Sequence, residues 1–272
     1  MQRLDVNQLK ISAANIRKML LEAIYSAGAG HPGGSLSCSD ILAYLYMHKM
    51  NVDPKNPQNL DRDRFVLSKG HCSPALYGAL AERGFLPKSD IKGFRHIDSY
   101  LQGHPDMKTV PGVDMSTGSL GQGISAACGM ALAGKLDEKS YRVYSILGDG
   151  ELQEGQVWEA AMFAAHYKLD NLTAFLDFNG LQIDGDIREV MNPCPIDEKF
   201  AAFGWNVVIA DAHDFEAIDK AVTEAETAKG KPTVIIAKSV KGKGVSFMEN
   251  QAGWHGAAPN KEQYEQAIAE LG

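Results

Sequence analysis

The chain has 272 residues, 44% hydrophobic and 22% charged, and 27 basic against 34 acidic side chains give a net charge of −7. That is ordinary globular composition, and the acidic balance argues against nucleic-acid and anionic-membrane partners, which favour a basic face. Cys38, Cys72, Cys128 and Cys194 are scattered without a CxxC pair, which speaks against a zinc site or disulfide framework. The first residues lack the apolar core of a signal peptide, and no apolar run is long enough to span a bilayer, so the expected location is cytoplasmic.

Residues 6–27 carry Leu9, Ala13, Ile16, Leu20 and Ile24 at helical spacing, which predicts an amphipathic helix stopped by Gly28. Gly30–Gly34 is then a glycine-rich loop in which His31 can approach a ligand with little obstruction. Ser37 and Asp40 read as a capping box ahead of a helix over 41–50. Arg64–Leu67 reads as a short buried strand, and Ser68-Lys69-Gly70-His71 opens a helix over 71–83 with Tyr77 and Leu80 in the core. His71 then faces the positive end of that helix, where an anion such as phosphate is favoured. Residues 89–96 read as a short helix with His96 on the surface, and His104 sits between Gly103 and Pro105 in a rigid loop. Residues 116–123, STGSLGQG, are not a dinucleotide fingerprint. Their glycines are spaced in the reverse order, no strand runs into them, and a helix over 122–136 follows.

The most informative stretch is Gly148–Gly185. A β-rich run over 141–147 meets Gly148-Asp149-Gly150; a helical pattern over 153–167 follows, then an apolar run Leu172–Phe178 ending at Asn179. Strand, turn, helix and strand make one parallel crossover, so Asp149 and Asn179 leave neighbouring strands at the carboxyl edge, where open α/β sheets bind ligands. A carboxylate, an amide oxygen and a helix start are the parts of a magnesium–diphosphate site. GDG by itself is also a common tight turn, and it is the matching Asn179 that favours the binding reading. Beyond it, 206–210, 215–228 and 233–237 read as strand, helix, strand. Lys238–Gly244 is no P-loop, because GK[ST] is missing; Lys241 and Lys243 could face phosphate or solvent, and solvent is the favoured expectation. A last helix spans 261–271. With no linker or repeat, the chain reads as a single α/β domain over 1–272: an open, mostly parallel sheet with helices on both faces.

GDG followed one helix and one strand later by Asn is the thiamine diphosphate motif. Gly30-His31-Pro32-Gly33-Gly34, Ser68-Lys69-Gly70-His71, Gln102-Gly103-His104-Pro105, Thr117-Gly118-Ser119-Leu120-Gly121-Gln122-Gly123 and Trp254-His255-Gly256 flank it in order. Together they resemble the transketolase family over nearly the whole chain. The resemblance implies thiamine diphosphate with Mg2+ (Ca2+ or Mn2+ in its place), the metal held by Asp149, Asn179 and the Leu181 carbonyl. It places His71, Gly118, Ser119, Leu120, Gly150, Asn179, Ile183 and His255 on the cofactor. His31, His104 and His255 become the catalytic histidines facing substrate. Ser119 stands where the family usually has Pro, and Leu181 where it has Ile; contacts through the backbone survive both changes. Glu154 matches a glutamate that links two active sites across a subunit interface and is counted with the cofactor contacts, although a first-turn Glu is also favoured by the helix dipole alone.

The implied reaction is that of the pentose phosphate pathway enzyme, moving a two-carbon ketol unit from a ketose phosphate to an aldose. In this family the glutamate that activates the cofactor's aminopyrimidine, and most residues gripping the sugar phosphate, belong to a second domain further along. No second sheet is legible here. The chain therefore reads as the diphosphate-binding half of a split transketolase. Its partner would be a separate C-terminal transketolase subunit, with two copies of each chain. A split enzyme for an unusual sugar, and a non-catalytic cofactor-binding or regulatory subunit, are the alternatives. Half of a deoxyxylulose phosphate synthase or of a 2-oxoacid dehydrogenase fits GHPG and QGHPD less well.

Overall fold

The computed structural model describes residues 5–272. Five strands form one wholly parallel sheet: β1 (Arg64–Leu67), β2 (Val143–Gly148), β3 (Leu172–Phe178), β6 (Asn206–Asp211) and β7 (Thr233–Lys238), in the order β1-β2-β3-β7-β6. A two-residue antiparallel pair, β4 (Leu181–Gln182) with β5 (Gly185–Asp186), projects from the end of β3. The helices are α1 (Val6–Ala27), α2 (Pro32–Ser37), α3 (Ser39–Tyr44), α4 (Ser73–Arg83), α5 (Gln122–Leu136), α6 (Gly155–His166), α7 (Ile187–Met191), α8 (Ile196–Ala202), α9 (Phe215–Thr227) and α10 (Lys261–Glu270).

Alternation along the strands decides which face each side chain enters. On β7, Val234 and Ile236 join one core with α5, α6 and α8, while Ile235 and Ala237 join the other with α1, α3, α4 and α9. Helices therefore cover both faces, as expected for a buried parallel sheet. Strands predicted at 64–67 and 172–178 and the helix at 122–136 match to the residue, because each is bounded by a polar turn.

Three local expectations fail, each for a tertiary or geometric reason. The capping box at Ser37 and Asp40 does not form. Ser37 Oγ donates to Asp177 (2.6 Å), and Asp40 is drawn to Arg17 (2.5 Å) and His213 (2.7 Å), so neither side chain is free to cap. Instead Pro32 starts α2 inside the glycine-rich segment, and a π-helical turn, Leu45–Lys49, ends the α3 segment. The helix expected over 153–167 starts at Gly155, after a 3₁₀ turn Gly150–Gln153, and the one expected over 89–96 is a 3₁₀ turn, Lys88–Gly93.

Candidate active site

Four strand ends converge on one cavity. Lys69 and His71 follow β1, Asp149 follows β2, Asn179 follows β3 and Lys241 follows β7; they share a pocket of about 250 Å³ with His31 and His255. The register explains the pairing of the two motif residues. Gly148 sits beside Asp177 across the β2–β3 ladder, so the chain exits side by side at Asp149 and Asn179. Gly118, Leu120, Gly150, Leu181 and Ile183 also line the pocket.

Asp149 is buried. Its Oδ2 accepts from Gly180 N (2.7 Å) and its Oδ1 from Gly150 N (2.9 Å), tying the two loops together. The Gly150 N–H is thus held by Asp149. Burial and then the Asp177 charge push the Asp149 carboxyl up to about 6. Asn179 directs its amide nitrogen at Asp177 (3.3 Å) and its Oδ1 at Leu181 N (3.1 Å). Among the described residues there is no cluster of three His, Cys, Asp or Glu side chains fit for a metal. The donor set is instead a carboxylate, an amide and the Leu181 carbonyl, all hard oxygens of the kind magnesium takes. Lys241 Nζ already donates to Leu181 O (3.1 Å); burial lowers its amine below the usual range, and the Asp149 charge partly offsets this. The pocket wall also holds a polar atom without a partner. His31 Nδ1 is buried without a hydrogen-bond partner, and a Cβ at Gly34 would sit 3.0 Å from Cys72 Sγ and 3.8 Å from His71 Nε2.

Three imidazoles pack together, with ring centroids 5.1 Å apart for His31–His71, 5.4 Å for His31–His255 and 5.5 Å for His71–His255. Burial and the neighbouring His71 lower His31 to about 4, and burial with Lys241 lowers His255 to about 3, so both rings are neutral at pH 7. The Lys241 ammonium donates to His255 Nδ1 (3.1 Å), which puts the His255 ring proton on Nε2.

The remaining expected residues lie around the rim. His104 is outside the cavity wall but against it: a Cβ at Gly118 would come within 2.9 Å of His104 Cδ2. Its loop is held by the Tyr77 hydroxyl, which donates to Gln102 O (2.8 Å) and His104 O (3.1 Å), and by Ser73 Oγ on Gly103 O (2.8 Å). Burial and the Arg95 charge lower His104 as well. Ser119 is exposed and does not line the cavity. Glu154 is exposed at the N-cap of α6, before its first turn, and makes no side-chain cap bond.

One expectation is overturned. Lys241 does not face solvent; it is 2% exposed and points into the pocket, because Gly242 N bonds Gly33 O (3.0 Å) and folds the segment over α2. Lys243, as expected, is partly solvated, with Glu249 at 3.6 Å. Two further groups escaped the sequence reading. Asp177, wholly buried, accepts from Lys69 Nζ (2.5 Å), Ser37 Oγ (2.6 Å) and Ser239 Oγ, and so knits β1, α2, β3 and β7 beneath the pocket. Burial opposes the charge on Lys69, but the Asp177 carboxylate outweighs it and holds the amine well above its usual range. Glu151 accepts from Ser68 Oγ (2.5 Å), Gly121 N (2.9 Å) and Gly148 N (3.0 Å), joining three of the loops that build the site. The signal for Asp177 was a charge inside an otherwise apolar strand run; Glu151 had none.

Comparison with known proteins agrees with this geometry. Residues 8–272 match the family described as transketolase, thiamine diphosphate binding domain. The chain is 48% identical over 263 residues to a 6-deoxy-6-sulfo-D-fructose transketolase subunit of Clostridium sp. (strain MSTE9), covering 97% of this chain and 96% of that one. It is 43% identical to one of the subunits of the apulose-4-phosphate transketolase of Phocaeicola vulgatus, covering 98% and 95%. Human transketolase is 46% identical over 97% of this chain, which spans only 42% of the human protein. The crystal structure of Campylobacter jejuni transketolase superimposes with a TM-score of 0.92 at 35% identity, over 98% of this chain and 43% of that one. The fold, the convergent strand ends and these relatives agree that the chain belongs to the transketolase family, in the part that binds thiamine diphosphate.

Proposed function

We propose that this chain is the cofactor-binding subunit of a two-chain transketolase, moving a two-carbon ketol unit from a ketose to an aldose acceptor. The observation that carries the reading is one cavity lined together by Asp149, Asn179, Leu181, His31, His71 and His255. Asp149, Asn179 Oδ1 and Leu181 O would hold Mg2+, and His71 and Lys241 lie where a diphosphate would meet them. Gly118, Leu120, Gly150 and Ile183 would border the cofactor, and Ser119, outside the cavity, would not. When bound, thiamine diphosphate supplies the carbanion chemistry that breaks and remakes the sugar's carbon–carbon bond. The chain's own task is to bind, orient and move protons. His31, His104 and His255, kept neutral, can donate to an alkoxide oxygen or accept its proton at pH 7. Glu154, exposed beside this site, is suited to a subunit contact.

Support for a partner comes from relatives whose names call them subunits. The chain spans nearly all of the two relatives named as subunits and about two fifths of the human and Campylobacter enzymes. A separate polypeptide would then supply the other half of the active site, with two copies of each chain in the assembly. The relatives' names, for a sulfonated fructose and apulose 4-phosphate, favour a ketose carrying a terminal anion, phosphate or sulfonate, as donor.

The test is capture of the tagged chain from its native extract, then a ketol-transfer assay with thiamine diphosphate, Mg2+ and a panel of phosphorylated and sulfonated ketoses. A second polypeptide should co-purify, and activity should need both chains and vanish in Asp149→Ala. Turnover by the lone chain at an enzyme-like rate overturns the partner requirement. Failure of the captured chain to bind cofactor favours a non-catalytic subunit instead.

A further inference from the structure

Cys38 and Cys72 lie far apart in sequence, yet their side chains are hydrogen-bonded to each other and wholly out of solvent. Both thiols are free. They gather around Gly34, which lines the pocket. The Gly34 carbonyl accepts from Cys38 Sγ (3.3 Å) and from Lys69 Nζ (2.8 Å). A Cβ at Gly34 would meet Cys72 Sγ at 3.0 Å, Lys69 Nζ at 3.5 Å and His71 Nε2 at 3.8 Å. With no side chain there, Cys72 Sγ lies just behind the pocket wall. Each cysteine also sits at a joint between elements. Cys38 separates α2 from α3, and Cys72 ends the 3₁₀ turn Gly70–Cys72 ahead of α4. None of the cofactor contacts proposed above uses either sulfur.

A buried cysteine is ordinarily an inert, small apolar side chain. Cys72 has different surroundings. Burial alone would raise its thiol, but the hydrogen bond with Cys38, then His71 and Lys69, outweigh burial and hold it well below its usual value. The same hydrogen bond, and then burial, hold Cys38 well above. Cys72 is thus suited to attack and Cys38 to follow. We propose that Cys38 and Cys72 are a redox-sensitive pair behind the pocket wall, closed to a disulfide by a hydroperoxide that enters through the pocket, and that closure distorts the wall formed by Gly34 and His71. The Cys72 thiolate attacks one peroxide oxygen, the O–O bond breaks, and hydroxide leaves a sulfenic acid on Cys72. Cys38 sulfur then attacks Cys72 sulfur, the S–O bond breaks, and water leaves with the Cys38 proton. Two electrons pass from the thiols to the peroxide, and a dithiol reverses the change by exchange. Closure draws the two joints together, and Gly34 and His71 move with them. The effect on the pocket rests on the cofactor reading above. By linkage, bound thiamine diphosphate opposes closure as much as closure weakens thiamine diphosphate.

The test treats the full chain with hydrogen peroxide, alkylates the remaining thiols and reads the peptides by mass spectrometry. The peptides carrying Cys38 and Cys72 should appear joined, and dithiothreitol should separate them. Calorimetric titration with thiamine diphosphate and Mg2+ should show binding weakened roughly tenfold in the oxidised chain and restored on reduction. Cys72→Ala should form no joined peptide and keep its affinity through peroxide; Cys72→Ser serves if the Ala variant fails to fold. Cys38→Ala should hold a sulfenic acid on Cys72 that dimedone traps, which assigns the attacking sulfur. Cys194→Ser removes the thiol that is partly open to solvent and should behave as the parent. Oxidation of Cys194 with Cys38 and Cys72 still open to alkylation overturns the pair. A closed pair with unchanged affinity for thiamine diphosphate overturns the effect on the pocket. Closure in a chain that binds no thiamine diphosphate even when reduced overturns the cofactor reading and that effect with it, and the disulfide stands.

Discussion

Asp177 sits one residue before the end of β3, wholly out of solvent, and is the counter-ion that lets Lys69 be charged inside the protein. Removing one member of a buried pair leaves the other uncompensated, at about 3–5 kcal/mol, whereas replacing both with apolar residues of similar size is far milder. Asp177→Leu should therefore destabilise strongly, and adding Lys69→Met should recover much of the loss; urea unfolding of both variants measures it. The histidines make a pH prediction. His31 and His255 are held at about 4 and about 3 in the folded chain, against about 6.5 unfolded. Protons below pH 6.5 then bind the unfolded chain first, so this contribution to stability is intact above 6.5 and is lost as pH falls toward 4. Asp149, raised from 3.8 to about 6, works in the opposite sense: its proton favours the folded chain across that interval. The comparison is thus made by substitution. His31→Gln with His255→Gln should lose less melting temperature between pH 7.5 and 5 than the parent does.

At the scale of elements, loops rather than strands carry the site, and a few side chains set the loops. Glu151 holds three of them through three accepted bonds, so Glu151→Ala should cost about 3 kcal/mol or more, read by chemical unfolding. Tyr77 on α4 holds the His104 loop through its hydroxyl alone, while its ring stays in the core. Tyr77→Phe should leave cofactor affinity unchanged and slow ketol transfer by roughly tenfold, since only the placement of His104 is loosened. Titration of thiamine diphosphate alongside the rate assay separates the two effects. Strand and helix positions were legible because apolar periodicity is local. The Ser37–Asp40 box misled because Asp177, Arg17 and His213, remote in sequence, offer those side chains stronger partners than a helix end does.

At the scale of the molecule, the outer face of α5 and α6 keeps large apolar side chains in water: Leu136 is 74% exposed, Met162 52% and Phe163 38%. Exposed apolar side chains of this kind suit burial against another chain. This face includes the helix whose N-cap is Glu154. Phe163→Glu should lower the mass of the assembly measured by light scattering, while the isolated variant still binds thiamine diphosphate.

Sequence alone determined the parallel α/β architecture, the crossover that brings Asp149 beside Asn179, and the histidine loops, because turn residues and hydrophobic periodicity act over a few positions. Lys241 shows where that reach ends. Whether its amine meets solvent or the Leu181 carbonyl depends on Gly33, some two hundred residues earlier, folding against the end of β7. Asp177, Lys69, Glu151 and the Tyr77 hydroxyl are alike in this. Each is a polar group whose burial and partners are set only when distant segments pack, and only the tertiary structure decides which buried charge meets which.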